Sequence, residues 1–400
     1  MIRLFAAAAA LLLTLQPAAA FDTRATAAYV LDQTTGTVLL AKNADEPLPP
    51  ASMSKLMTLY MAFEAVERGK QNGGLDLVEK LPVSQHAMSY GGSTMFLDTT
   101  DRVSVEDLIR GIIVLSGNDA SAVIAEALSP DGTEYGFARL MTQRAQQMGM
   151  TNSTFANSNG WPAAGHLMSV RDLGLLASSI IRDYPQFYPL FAEREFAFDG
   201  RAPQNKTNRN PLLGLGIGAD GLKTGHTAEA GYGLVGSAKQ GNRRVIFVLS
   251  GLDSAAARAQ EAESVVNWAF RQFTQRELGK AGTQIAQAPV ALGTAQSVGL
   301  ELKDDLAMLV PVTGGDEIKA EVIYTGPIQA PINKGDEVGE LVVDRGDLPA
   351  LRVPLVASAS VAPGGFMVKM TAAAMHLVNR LNAGPQADAP APEAEAEAAS

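Results

Sequence analysis

The residues from Ala51 to Lys55 follow two prolines and place a serine and a lysine at the head of a predicted helix. The run from Leu56 to Arg68 is rich in Leu, Met and Ala, has no internal Gly or Pro, and stops at Gly69. This pattern is typical of a helix with a glycine after its last turn. Because Ser52 and Lys55 are three residues apart, their side chains share one face of the first turn. A serine beside a lysine that is held neutral is a nucleophile with its own base.

Two further short motifs follow along the chain. Ser116-Gly117-Asn118 stands between two predicted helices, and Lys223-Thr224-Gly225 stands on a predicted strand edge. Each motif alone is ordinary: an isolated S-x-x-K is usually a helix start with a solvated lysine, and the other two are turns at the ends of elements. In this order and with these placements, the three motifs fit one site for acyl transfer.

The first two motifs supply the groups that act on the reacting carbonyl. Ser52 attacks the carbonyl carbon, and Lys55 takes its proton if burial and a nearby cation favour the neutral amine. Ser116 relays a proton between the lysine and the leaving amine. Asn118 is expected to hold a substrate amide.

The third motif supplies the groups for an anionic, extended substrate. Lys223 contributes positive charge, Thr224 contributes a hydroxyl for a carboxylate, and Gly225 lets the substrate lie against the strand as an added edge. His226 is interpreted as a polar strand residue that contributes its backbone rather than a base. The N–H groups of Ser52 and His226 are the expected oxyanion donors.

With these motifs the chain resembles the low-molecular-mass penicillin-binding proteins that are serine-type D-alanyl-D-alanine carboxypeptidases. S-x-x-K with S-D-N and K-T-G is the signature of penicillin-binding proteins and class A β-lactamases, although Gly117 stands where that signature has Asp. The resemblance runs from about Ala25 to the last helix of this region and includes residues 208–210, 221–227, 230–232 and 258–263. The family more often has His-Gly-Leu where this chain has residues 157–161, so no role is assigned to that loop.

The resemblance implies a fold and a reaction. The expected fold is α/β and penicillin-binding transpeptidase-like (β-lactamase-like), with an antiparallel sheet flanked by helices, followed by a small all-β domain and an amphipathic C-terminal helix. The implied reaction removes the terminal D-alanine from peptidoglycan pentapeptides through an acyl-enzyme, with β-lactam antibiotics as covalent inhibitors. By the same resemblance, Arg209 helps Thr224 to orient the terminal carboxylate.

The hydrophobic pattern predicts the main elements of this fold. Strands from the two ends of the region are expected to pair into one sheet around an inserted helical lobe. The predicted strands cover residues 27–32, 37–42, 231–238 and 244–252, and the predicted helices cover 105–115, 120–128, 135–148, 169–182 and 254–275. Asp119 is the expected cap of the second of these helices.

Composition divides the chain into segments. We expect a signal peptide at 1–20, the peptidase domain at 21–280, the all-β domain at 288–362, an amphipathic anchor helix at 364–382 and a disordered tail at 383–400. The first segment has Arg3, a short apolar core and an A-x-A site, and an uncleaved anchor is its alternative. The anchor helix has one apolar face and a cluster of cations, which suits the inner-membrane surface but also a plainly docked helix. These features predict export to the periplasm and peripheral attachment to the outer face of the inner membrane.

Several classes of function are disfavoured. A net charge of −10 gives no basic surface for nucleic acid. The chain has no Cys, four scattered His and no H-E-x-x-H, so neither a metal nor another cofactor is expected. The letters G-x-G-x-x-G at residues 231–236 lead into a strand rather than a helix, which argues against a dinucleotide site.

Other functions remain open for the same machinery. A peptidoglycan D,D-endopeptidase or a serine β-lactamase would use these motifs as well, although there is no clear E-x-x-L-N deacylation motif and a β-lactamase needs neither a β domain nor an anchor. A non-enzymatic envelope protein that only binds the cell wall is the third alternative.

Overall fold

The computed structural model describes residues 21–201, 204–312, 319–345, 348–368, 370 and 374. Among these residues, contacts define two compact units. The first comprises the chain up to Thr274 together with 309–312, and the second comprises 275–308 and the described residues that follow 318. The predicted signal peptide and the predicted tail lie outside the described residues.

The first unit alternates strands with a long helical insertion. In chain order its elements are β1 (Ala27–Asp32), β2 (Thr37–Lys42), α1 (Lys55–Arg68), β3 (Lys80–Pro82), α2 (Gln85–Met88), β4 (Arg102–Ser104), α3 (Val105–Arg110), α4 (Asn118–Leu128), α5 (Glu134–Gln147), α6 (Val170–Asp183), β5 (Ala219–Thr227), β6 (Gly231–Gln240), β7 (Arg243–Leu252) and α7 (Ala255–Arg271). The short antiparallel pair of β3 and β4 was not foreseen from the sequence.

One antiparallel sheet organises this unit, with strand order β2-β1-β7-β6-β5. The pairing of β1 with β7 joins strands from the two ends of the unit, with Ala27 opposite Ser250. The hairpin between β6 and β7 turns at Gly241, whose φ of 58° is a conformation that glycine adopts without cost. The expected fold class is confirmed, and β5, which carries the K-T-G motif, is the edge strand of the sheet.

The period of two along the strands separates two apolar cores. Tyr29 and Leu31 of β1 join the core formed with the helical lobe, whereas Val30, between them, joins the core under α7. Full burial of such a side chain stabilises the fold by about 1.5–3 kcal/mol. Helices therefore cover both faces of the sheet, as predicted.

Three helix boundaries differ from the prediction by more than one residue. α3 ends at Arg110, and Gly111–Leu115 is a π-helical turn, a feature that is frequent at functional sites. α4 begins at Asn118, so Asp119 lies inside its first turn instead of capping it. α7 ends at Arg271 rather than at residue 275, because the chain continues as strand β8 (Phe273–Gly279).

The described residues from 284 to 357 form a series of strands. In order they are β9 (Gln284–Ala291), β10 (Ser297–Leu302), β11 (Leu306–Pro311), β12 (Ala320–Ile323), β13 (Ile328–Gln329), β14 (Glu337–Arg345) and β15 (Leu348–Ala357). Six of them form a sheet of order β12-β14-β15-β10-β9-β13, and β11 pairs with β8. The all-β prediction is confirmed, and β9 begins upstream of residue 288, where the sequence analysis placed the start of this domain.

The predicted anchor helix is described only in part. Residues 366–368, 370 and 374 are helical, and the side chains of Phe366, Met367 and Met370 are exposed. Its remaining residues lie outside the described part. Among the described residues, no helix has both the length and the apolarity needed to cross a membrane.

The packing of α6 on β1 depends on a glycine. A Cβ atom added at Gly174 would lie 2.6 Å from Cδ1 of Tyr29. We therefore expect Gly174→Ala to lower the free energy of unfolding by about 1–3 kcal/mol, because overpacking outweighs the gain in helix propensity. Urea denaturation measures this effect. Ser179→Ala on the same helix is the control, and equal unfolding free energies for the two variants would contradict the packing argument.

Candidate active site

Ser52 and Lys55 lie where the chain enters α1. Ala51–Ser54 form one 3₁₀ turn, and α1 begins at Lys55 itself. The lysine side chain is fully buried and donates three hydrogen bonds from Nζ: to Ser52 Oγ (2.9 Å), to Asn118 Oδ1 (2.7 Å) and to the Asn159 carbonyl (2.5 Å). Lys55 is therefore not the solvated lysine of an ordinary helix start.

Burial changes the acidity of this lysine. The pKa of Lys55 is lowered to about 7, mainly by desolvation and also by the nearby cation Arg209, while the carboxylates of Asp119 and Glu134 oppose the shift. At neutral pH a substantial fraction of the amine is thus unprotonated. A neutral amine 2.9 Å from Ser52 Oγ can accept the hydroxyl proton.

Ser116 and Lys223 form a second buried pair. Lys223 Nζ donates to Ser116 Oγ at 2.9 Å and to its neighbour's carbonyl, that of Thr224, at 3.2 Å. Burial and the neighbouring cations lower the pKa of Lys223 well below its ordinary value. Ser116 follows the π-helical turn in a left-handed conformation, with φ of 62°, a strained geometry that occurs at functional sites.

Both the oxygen and the nitrogen of the Asn118 side-chain amide form hydrogen bonds within the protein. Its Oδ1 accepts from Lys55, and its Nδ2 donates to the Gly91 carbonyl at 2.8 Å. Its backbone N–H donates to the Ser93 carbonyl at 2.7 Å. Asn118 thus connects the buried lysine to the loop at 91–93, a connection that the sequence prediction of a substrate contact did not include.

Arg209 lies between two asparagines that anchor its segment. Asn208 Nδ2 donates to the Glu193 carbonyl, and Asn210 Nδ2 donates to the Gly221 carbonyl, each at 2.9 Å. The Arg209 guanidinium donates to Ser93 Oγ (2.7 Å), Asn205 Oδ1 (2.7 Å) and the Leu115 carbonyl (3.3 Å). It is therefore held beside the serine that follows Leu115.

β5 passes directly over the turn that carries the nucleophile. A Cβ atom at Gly225 would lie 3.0 Å from both Met53 Cγ and the Pro50 carbonyl oxygen. Gly225 therefore permits close packing of the strand on this turn, in addition to the predicted access for substrate. The ring of His226 is exposed and stacks on Tyr232, with ring centroids 3.8 Å apart.

The predicted site residues thus come together around one cleft of the first unit. The S-x-x-K turn contacts β5, Lys55 is bonded to Asn118, Lys223 is bonded to Ser116, and Arg209 adjoins Ser116. Their individual chemical roles stay predictions.

Three contributions were missed by sequence reasoning. The Asn159 carbonyl is a backbone group, so no residue type could announce it. The Asp119 carboxylate accepts from the backbone N–H groups of Met95, Leu97 and Ala120 and thereby fixes the segment next to Ser93. The Glu134 carboxylate binds the loop that contains Asn159. An acidic residue at the head of a predicted helix was the only available signal for either carboxylate.

A serine that is hydrogen-bonded to a buried lysine, beside an edge strand that carries a second lysine, is the arrangement expected of acyl-transfer enzymes that use a serine and a lysine. The model of the D-alanyl-D-alanine carboxypeptidase family matches residues 14–254, and that of the C-terminal domain of penicillin-binding protein 5 matches residues 273–363. The chain belongs to this family and is a serine-type D-alanyl-D-alanine carboxypeptidase.

Individual relatives agree with the family models. The D-alanyl-D-alanine carboxypeptidase DacC of Escherichia coli is 35% identical over 346 residues, which cover 84% of each protein. Penicillin-binding protein 5 of Haemophilus influenzae has a similar structure, with a TM-score of 0.74 at 33% identity over 85% of this chain and 98% of that one. Penicillin-binding protein D2 of Listeria monocytogenes, solved in an ampicillin-bound form, has a TM-score of 0.55 at 32% identity over 62% of this chain and 98% of its own.

The Asp119 contacts yield a prediction about stability and site geometry. Asp119→Asn places an NH₂ group or a weaker acceptor against buried N–H donors, so we expect the free energy of unfolding to fall by about 1–3 kcal/mol. Acylation by a β-lactam should slow as well, because the segment next to Ser93 and Asn118 shifts. Urea denaturation and a stopped-flow acylation assay measure the two effects. Asp98→Asn, at a half-exposed carboxylate on the same loop, is the control, and equal losses in both variants would contradict this role.

Proposed function

We propose that Ser52 is the nucleophile that releases the terminal D-alanine and that Lys55 is its base. The observation that carries the proposal is the hydrogen bond between Lys55 Nζ and Ser52 Oγ in a buried site. Ser52 Oγ bonds to the carbonyl carbon of the penultimate D-alanine as its proton passes to Lys55. The N–H groups of Ser52 and His226 donate hydrogen bonds to the carbonyl oxygen and stabilise the negative charge that develops on it.

The leaving group requires a proton of its own. The C–N bond breaks as the nitrogen of the terminal D-alanine takes a proton, which we assign to the Ser116 hydroxyl that Lys223 contacts. A water molecule then hydrolyses the Ser52 ester, which releases the shortened peptide and restores the serine. Ser116 recovers its proton from Lys55, which became an ammonium when it took the proton of Ser52.

The substrate carboxylate has a complementary set of groups. Lys223 and Arg209 supply positive charge, and Thr224 supplies a hydroxyl on the edge strand β5. Arg258 of α7, which is buried, adds a third cation on this side, with Nη2 3.5 Å from the Arg209 carbonyl oxygen. A peptide that ends in a free carboxylate can therefore lie along β5 with its terminus among these cations.

We also propose that β-lactams acylate Ser52. The ampicillin-bound form of the Listeria relative supports this view, because that protein shares the peptidase fold. A β-lactamase would turn over such an ester rapidly, and an endopeptidase would cleave cross-linked peptides. These alternatives differ in their products and in the lifetime of the acyl-enzyme.

Ser52→Ala should abolish both D-alanine release and penicillin acylation, with a loss of about three orders of magnitude or more in release rate. Mass spectrometry of a pentapeptide muropeptide measures the loss of one alanine, and intact-protein mass measures the acyl-enzyme. Ser54→Ala is the matched control, because Ser54 Oγ donates to the Ala51 carbonyl rather than to the site.

Unchanged D-alanine release by Ser52→Ala would refute the assignment of the nucleophile. A wild-type acyl-enzyme that is lost within seconds would favour the β-lactamase. Cleavage of cross-linked dimers in preference to pentapeptides would favour the endopeptidase, and a wild-type protein that binds the muropeptide without cleaving it would favour a binding protein.

We propose further that the chain is exported by its N-terminal signal peptide and rests on the outer face of the inner membrane through residues 364–382. The exposed apolar side chains of Phe366, Met367 and Met370 support this proposal. An amphipathic helix with cations such as Lys369 binds an anionic lipid surface through apolar burial and charge together.

Deletion of residues 366–400 should release the protein from vesicles that contain anionic lipid, as measured by co-sedimentation. The paired substitution Phe366→Ser and Met370→Ser should weaken binding in the same direction while the tail is retained. Penicillin acylation in solution should stay at the wild-type level in both variants. Undiminished sedimentation of the deletion variant would reject the anchor.

A further inference from the structure

We propose that Glu134 is a positioning residue for the catalytic lysine: its buried carboxylate fixes the loop whose Asn159 carbonyl accepts from Lys55, and its charge acts on the same amine. This inference rests on the proposed role of Lys55 as the base. Neither the family motifs nor the sequence pattern pointed to Glu134.

Glu134 is the first residue of α5, and its side chain is almost completely buried. One oxygen, Oε2, accepts from Tyr90 Oη at 2.6 Å and contacts His86 Nε2 at 2.7 Å. The other oxygen, Oε1, accepts from the N–H and the hydroxyl of Ser158, at 2.9 and 2.5 Å, and from Asn159 Nδ2 at 3.3 Å. The carboxylate therefore joins the segment 86–90 to the loop at 158–159.

That loop is fixed from both sides at the point where it meets Lys55. Thr58 of α1 donates to the Ser158 carbonyl at 2.6 Å, and Asn157 Oδ1 accepts from the N–H groups of Asn159 and Gly160 at 3.2 and 2.8 Å. The next carbonyl, that of Asn159, accepts from Lys55 Nζ at 2.5 Å. Glu134 thus binds Ser158 and the side chain of Asn159, and Lys55 contacts the carbonyl of the same Asn159, so a displacement of the carboxylate moves an acceptor of the base.

The charged side chains around Lys55 and Glu134 determine how Glu134 affects the pKa of Lys55. The ionisable side chains that act on Lys55 lie on five parts of the fold: Arg209 in the segment before β5, Lys223 on β5, Asp119 on α4, Glu134 on α5 and His166 in the loop before α6. Those that act on Glu134 are His86, Tyr90, Glu126, His166 and Lys55. Glu134 is thus one of two anions that oppose the cations around Lys55. Loss of its charge favours the neutral amine and lowers the pKa of Lys55.

The geometry suits a carboxylate and tolerates an amide. Gln at 134 keeps the shape and one acceptor oxygen for the Ser158 hydroxyl and N–H, while its NH₂ faces Tyr90 and His86, which can each turn an acceptor toward it. Asp at 134 keeps the charge but shortens the side chain, so the bonds to the loop lengthen or break. The two variants therefore separate the effect of the charge of Glu134 from the effect of its side-chain length.

The test measures the rate of Ser52 acylation by penicillin from pH 5 to 9. Its readout is the acid limb of the pH–rate profile, which is the range where the rate rises with pH. Protonated Lys55 is not a base, so the wild-type rate rises through the pKa of that lysine. Glu134→Gln should move the limb to lower pH by on the order of one unit. Glu134→Asp should leave the limb in place and lower the plateau by about 10- to 100-fold.

Asp172→Asn is the matched control. Asp172 is a buried carboxylate that also ties down the chain ahead of the active-site loop, through Asn152 N–H (2.9 Å) and Ser153 Oγ (2.8 Å). It does not contact the loop at 158–159. Asp172→Asn should therefore lower the melting temperature of the protein without moving the acid limb. His86→Gln should also leave the acid limb in place.

An unmoved limb in Glu134→Gln, or an equal shift in Asp172→Asn, would overturn the proposal. If Glu134→Gln does not fold, a wild-type plateau in Glu134→Asp overturns it instead. Lys55→Met tests the assignment on which the proposal rests. If Lys55→Met is still acylated and its pH–rate profile keeps the acid limb, the assignment of Lys55 as the base is wrong. That result would refute the proposed function rather than the role of Glu134.

Discussion

The site depends on one costly arrangement, a lysine amine buried without a carboxylate partner in direct contact. Lys55 is held by a hydroxyl, an amide oxygen and a backbone carbonyl, all neutral acceptors. A buried ammonium is expensive unless it is paired, so neutral acceptors and nearby cations push the amine toward its uncharged form. The surrounding structure serves to keep this arrangement closed to water and correctly oriented.

Each acceptor is supplied by a different part of the helical lobe or its loops. Asn118 begins α4 two residues after the left-handed Ser116, and Asp119, the next residue, fixes the segment at 95–97 through buried backbone N–H groups. Asn159 belongs to a loop that Glu134 and Thr58 hold from opposite sides. The lobe inserted between the strands is therefore the part of the fold that defines the environment of the base, while the sheet supplies the opposing edge.

The motifs and the strand pattern were sufficient to predict the fold class, because alternating apolar residues and turn signals are local properties. The motifs were also sufficient to predict that Ser52, Lys55 and Lys223 belong to one site. What could not be predicted were contacts made through the backbone or across long distances in the chain. The Asn159 carbonyl has no residue signature, the π-helical turn before Ser116 looks helical in sequence, and Glu134 looks like an ordinary acidic residue at a helix start.

The way in which β1 meets β7 has a consequence for how the molecule assembles. Ala27 lies opposite Ser250, so the central ladder of the sheet closes a loop that contains almost the whole helical lobe. Pairings between such distant residues form late and slowly, because the chain entropy must be lost before the contacts form. During synthesis the first hairpin therefore has no partner until the chain has grown past Leu252. The sheet that carries the K-T-G strand is therefore complete only after its last strand in the chain, β7, has joined.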